Sequence, residues 1–198
     1  MDGLKIKNYA LIDGQNLNLG VRNDVWRKIN ENWYQRLYKG WPLDYKKFRI
    51  YLKDKYNIEK AYYFIGELKT NTLLYKNLQE YGYIVIFKPA FRGPDGKVKG
   101  NVDAELVLQA MIDFKDYDKA LIVAGDGDYA CLVKYLIQQN KLAQVLAPNY
   151  ESSSWLLREA AGNEYIAFMN TLKDKLEFIP DIKKGFHKDK TLQEPSLS

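Results

Sequence analysis

Asp126 and Asp128 stand two residues apart in the stretch Val123-Ala124-Gly125-Asp126-Gly127-Asp128-Tyr129, directly after the apolar run Lys119–Val123. Two carboxylates about 4 Å apart repel by roughly 4 kcal/mol at an effective dielectric of about 20. A fold tolerates this when water screens the pair, when one acid is protonated, or when a cation lies between them. Gly125 and Gly127 allow the tight turn that aims both acids at one point. Hard divalent cations such as Mg²⁺ or Mn²⁺ take oxygen ligands, lower the pKa of a bound water and offset charge on a phosphate. A carboxylate cluster without histidine therefore suits phosphodiester hydrolysis.

The remaining composition narrows the chemistry further. The 198-residue chain has one histidine and one cysteine. His187 lies in a polar C-terminal stretch, so a Ser-His-Asp triad, a Cys-His pair or a His-rich zinc site would each depend on it. Cys131 can form neither an internal disulfide nor a cysteine-type zinc site alone, and its helical context predicts a buried, unreactive thiol. No apolar run approaches the length of a membrane span, and the N-terminal stretch lacks a signal-peptide pattern. The expected setting is the cytoplasm, with no membrane contact. A net charge of +5 favours a polyanionic partner without specifying one.

Other acids must be positioned by the elements around them. Apolar runs predict strands over Asn8–Asp13, Lys60–Gly66, Tyr83–Pro89, Lys119–Gly125 and Ala143–Pro148, with a sixth over Tyr165–Asn170 at an edge. Most are continuously apolar, as expected of strands covered on both faces. Helical patterns lie between them, over residues 43–56, 70–82, 101–114 and 129–141, with Asn101 as an expected N-cap. Alternating strand and helix imply a parallel sheet with helices on both sides.

In such a sheet, ligands bind beyond the carboxyl ends of the strands, where the strand order reverses. Asp13 closes the first strand, and Asp126 and Asp128 follow the fourth. Asp103 sits in the first turn of the helix leading into the fourth. A right-handed crossover brings that turn to the same sheet edge. Asn16 is placed to hold a phosphate or fix a carboxylate. Lys97 and Lys99 are placed to meet a substrate backbone. Singly, these residues have ordinary explanations: a turn former at Asp13, a helix-dipole acid at Asp103, a cap at Asp128. The joint placement of four acids at one edge points to a site.

Two segments interrupt the pattern. Residues 21–42 hold Trp26, Trp33 and Trp41 among Tyr34, Tyr38, Arg22, Arg27 and Arg36, and read as an insertion into a domain spanning 1–176. Its rings and cations, Trp26 and Arg22 foremost, could bind unpaired bases and phosphates. They could instead pack as a helical lid or as a homodimer contact, since aromatic rings bury large areas without any ligand. Residues 177–198 read as a polar tail, with Lys183, Lys184, Lys188 and Lys190 as weak attractors for a polyanion.

The segments Ala-Leu-Ile-Asp-Gly-Gln-Asn-Leu (10–17), Lys-Gly-Asn-Val-Asp-Ala-Glu-Leu-Val-Leu (99–108) and Ala-Leu-Ile-Val-Ala-Gly-Asp-Gly-Asp-Tyr (120–129), in this order, resemble the NYN domain. This is a PIN-like nuclease group that includes bacterial LabA-type proteins. The resemblance spans roughly residues 7–170. It implies a Rossmann-like, PIN-like α/β three-layer sandwich with a mainly parallel central sheet. It also implies a metal-dependent ribonuclease, with Asp13, Asp103, Asp126 and Asp128 as acidic site, Asn16 beside them, and single-stranded RNA as the expected partner. Two departures stand out: Ala124 replaces a serine common in the family, and Gln109 stands where some members carry an acid. Glu105 is a nearby acid on another helical face. These departures leave a second expectation, a weakly active or inactive RNA-binding regulatory module. A phosphatase on the same kind of sheet is a third; the first strand lacks the Asp-x-Asp of an aspartyl-phosphate enzyme, and no Walker-type loop is present.

Overall fold

The first strand shows how the sequence builds the core. Over Asn8–Asp13 (β1), Tyr9 and Leu11 turn to one face while Ala10 and Ile12 turn to the other, and all four are buried. A strand buried on both faces requires helices above and below it. The structure, a computed structural model, describes residues 6–89, 91–92, 98–99 and 101–180.

After β1 the chain forms α1 (Gly14–Arg22), the hairpin strands β2 (Val25–Lys28) and β3 (Tyr34–Tyr38), α2 (Tyr45–Tyr56), β4 (Ile58–Glu67), α3 (Thr72–Glu80) and β5 (Ile84–Pro89). A short antiparallel pair follows, β6 (Phe91–Arg92) with β7 (Val98–Lys99). Then come α4 (Asp103–Ile112), β8 (Lys119–Val123), α5 (Ala130–Gln138), β9 (Leu142–Ala147), α6 (Trp155–Tyr165), β10 (Ile166–Phe168) and α7 (Lys173–Leu176).

Six strands form one sheet in the order β10-β9-β8-β1-β4-β5, with every pairing parallel. The chain runs outward from β1 to β5, then returns through α4 to β8 on the other side of β1. Strand order therefore reverses between β1 and β8. Leu106 and Ala110 of α4, Leu132, Val133 and Leu136 of α5, and Leu157 of α6 cover one face. Leu17 and Val21 of α1, Phe48 and Leu52 of α2, Leu78 of α3 and Leu176 of α7 cover the other. This is the three-layer α/β sandwich expected from the sequence.

Several boundaries differ from expectation. Residues Gly14–Arg22 are helical, so Val21 and Arg22 close α1 instead of opening an insertion. Asp13 starts that helix by accepting the Asn16 N–H, a capping role that offsets two helix glycines. The hairpin is the protruding part of the 21–42 segment, while Tyr38 and Trp41 are buried in the core below it. Helix α6, also absent from the sequence reading, carries a break at Gly162, whose φ is +62°. Glu177 and Phe178, assigned to the tail, are tied to the body: Glu177 bridges to Leu43 and the Phe178 N–H reaches the Pro42 carbonyl at 2.8 Å. His187 and the four tail lysines lie outside the described residues.

Candidate functional site

The carboxyl end of β1 delivers Asp13 to the point where strand order reverses. Its Oδ1 accepts the Asn16 N–H at 2.9 Å and its Oδ2 accepts the Tyr129 hydroxyl at 2.9 Å. The same hydroxyl lies 2.5 Å from Asp103 Oδ1. A phenol carries one hydrogen, so it donates to one acid at a time. Burial holds the Asp13 pKa above its ordinary 3.8; the Asn16 and Tyr129 hydrogen bonds oppose that rise, and the charges on Asp103 and Asp126 add to it. Burial, together with the charges of Asp13 and Asp103, drives the Tyr129 pKa far above its ordinary value, so the phenol keeps its proton.

Three further acids gather in front of this pair. Asp103 opens α4 with Val102, not the expected Asn101, at the cap position; Asn101 lies one residue earlier, and its Oδ1 accepts the Asp103 N–H at 2.9 Å. Asp126 follows β8 and caps the short 3₁₀ turn Gly127–Tyr129, its Oδ1 accepting the Asp128 N–H at 3.2 Å. One carboxylate oxygen each from Asp103, Asp126 and Asp128 lie within 4.8 Å of one another. Two oxygens on opposite sides of a Mg²⁺ ion stand about 4 Å apart. The donor set therefore fits a hard cation that keeps several waters. Asp13 stands behind this trio, linked to it through Tyr129.

Asn16 proves to be a brace. Its Oδ1 accepts the Gly125 N–H at 2.7 Å, joining the first turn of α1 to the loop that carries Asp126. Asp13, Asp103 and Asp126 line an open cavity of about 800 Å³, which Asn16, Val25 and Asn149 also border. Asn149 is fully buried, donating to the Gly20 carbonyl and accepting the Ser152 N–H. Sequence reading missed both Tyr129 and Asn149. Tyr129 stands next to Asp128 in the motif, but only the folded chain places its hydroxyl between acids from two other elements.

The remaining expected residues divide. Arg22 ends α1, and Trp26 is exposed on β2. Trp41 and Tyr38 are core residues and cannot stack on bases. Lys97 and the side chain of Lys99 lie outside the described residues. Gln109 bonds Asp113 at the far end of α4, roughly 9 Å along the axis from Asp103. An acid at that position would not reach this cluster. Glu105 turns away to pair with Lys88 at 3.0 Å. Cys131, expected to be buried, is exposed, because α5 turns its other faces to the core.

Among the described residues no helix is long and apolar enough to cross a membrane. A family model for the NYN domain matches residues 9–170. No curated protein matches the sequence at a significant level. The crystal structure of a protein of unknown function from Vibrio parahaemolyticus is similar over 89% of this chain and 99% of its own, with a TM-score of 0.64 and 23% identity. At that identity the likeness concerns the fold.

Proposed function

The chain belongs to the NYN domain family, a group of PIN-like nucleases, and from that premise we propose that it is a metal-dependent endoribonuclease acting on unpaired RNA. One observation carries the reading: Asp103, Asp126 and Asp128 bring oxygens within 4.8 Å of one another at the switch point of a parallel sheet.

Asp103, Asp126 and Asp128 would hold Mg²⁺ or Mn²⁺, partly through water. A divalent ion there supplies charge neutralisation on the scissile phosphate and a more acidic water. The chain's own groups set the geometry. Tyr129 orients Asp103 and Asp13 through its hydroxyl. Asn16 holds the Gly125 backbone, and thereby the Asp126 loop, against α1. Asp13, buried behind the trio, anchors the Tyr129 hydroxyl at the end of β1.

The test is cleavage of labelled single-stranded RNA with Mn²⁺, with and without chelator. Asp126→Asn should lower the rate on the order of 100-fold or more, as expected when a group that shapes the reacting centre is lost. Asn caps a turn about as well as Asp, so the melting temperature should not fall. A variant that cuts as fast as wild type sinks the assignment. Chelator-insensitive RNA binding by a wild type that never cleaves would favour the binding-only module, for which the Ala124 departure is the remaining motive.

A further inference from the structure

Beside the acidic cavity, the β2–β3 hairpin exposes apolar rings that fill no core. Trp26, Trp33 and Tyr34 are 54%, 66% and 52% exposed. The antiparallel register pairs Trp26 with Arg36 and Lys28 with Tyr34, so these four side chains share one face. Arg36 lies over the Trp26 ring at 5.5 Å. Rings and cations thus alternate across this face, with Trp33 at the turn. Five basic residues stand against two acids between Val21 and Gly40. Only Arg36 among those cations forms an ion pair within the described residues, with Asp24 at 3.3 Å. Asp24 also accepts the Gly40 N–H, which fixes the hairpin base. At that base Asn23 and Val25 line the same cavity as Asp13, Asp103 and Asp126.

We infer that this hairpin face is a stacking platform for an unpaired nucleic-acid strand, which it leads into the acidic cavity. Rings offer their faces to bases, and Lys28 and Arg36 sit where the flanking phosphates would lie. A duplex already uses its base faces internally and presents none to the rings. A symmetric contact between two copies of the chain would press basic residues against basic residues, which the charge balance disfavours. The cavity-directed half of the inference rests on the nuclease reading, but strand binding does not.

The experiment is fluorescence anisotropy of the full chain with a labelled oligouridine of about 12 nucleotides, in chelator so that nothing is cut. Trp26→Ala and Tyr34→Ala should each weaken binding about tenfold, and Trp26→Phe should retain most of the affinity. Lys28→Ala should lower the salt dependence by about one phosphate contact. The corresponding duplex should bind at least about tenfold more weakly than the single strand. An oligothymidine of equal length, compared with the oligouridine, tells which nucleic acid the platform serves, and tight binding of either supports it. Alanine variants within about twofold of wild type overturn the platform. So does sedimentation showing a wild-type dimer that Trp26→Ala splits without changing strand affinity. Cleavage is scored separately with Mn²⁺. A wild type that binds through Trp26 but never cuts sinks the nuclease reading alone. A wild type that cuts, with Trp26→Ala binding normally, sinks the platform alone.

Discussion

Tyr129→Phe removes one oxygen from the centre of the site and leaves the ring that fills the core. Tyr129 is fully buried, and its hydroxyl contacts Asp13 at 2.9 Å and Asp103 at 2.5 Å. Asp13 is itself only 6% exposed and, among the described residues, has one other hydrogen-bond donor, the Asn16 N–H. A hydrogen bond to a buried charge contributes about 1.5–3 kcal/mol, against about 1 kcal/mol for a neutral pair. The sign with pH follows from the raised Asp13 pKa. In the folded chain the carboxyl titrates above its ordinary 3.8, so between those values the folded state binds more protons than the unfolded one, and stability falls as pH rises through that window. Losing the hydroxyl raises the folded value further and widens the window. The variant should therefore lose about 1.5–3 kcal/mol near pH 8 in chelator, and about 1 kcal/mol near pH 4. Urea unfolding at both pH values measures this directly, with a comparable slope for the two proteins. A loss under about 0.5 kcal/mol, or one equal at the two pH values, would refute the account of Tyr129 as the donor that holds a buried charge.

Three other outcomes follow from the same geometry. Mn²⁺ at about a hundredfold excess over its Kd should raise the melting temperature by about 5–10 °C, and the Asp103→Asn/Asp126→Asn double variant should show no such shift in the same thermal scan. Asn16→Ala leaves the Gly125 N–H without its partner at 2.7 Å; denaturant unfolding should register a cost of about 1–2 kcal/mol, and RNA cleavage should slow as the Asp126 loop loosens. Gly14→Ala would place a Cβ 2.2 Å from Tyr63 Cε1 and 2.8 Å from the Phe64 carbonyl oxygen; calorimetry should show a loss of about 1–3 kcal/mol as α1 is pushed off the sheet.

What the sequence determined by itself was whatever depends on local pattern. Continuous apolar runs marked the strands of the sheet because burial on both faces leaves no room for alternation, as in Lys119–Val123. The order of strands and helices then placed Asp13, Asp103, Asp126 and Asp128 at one sheet edge, because crossover handedness leaves few alternatives. Helix α1 escaped notice because its nine residues, Gly14–Arg22, hold two glycines and only three apolar side chains; a cap from Asp13 and the burial of Leu17 and Val21 make it a helix only against the sheet. The 21–42 segment could not be divided from sequence, since Trp26 and Trp41 are the same residue type. Tertiary packing alone sent Trp41 inward and left Trp26 on an exposed strand. The same holds at the site. Topology set the four acids at one edge, but the hydroxyl that joins Asp13 to Asp103 comes from Tyr129, a core side chain packed in the same cluster as α4. A hydroxyl placed within reach of two acids from distant elements depends on distances of tenths of an ångström, and only the folded packing sets distances that small.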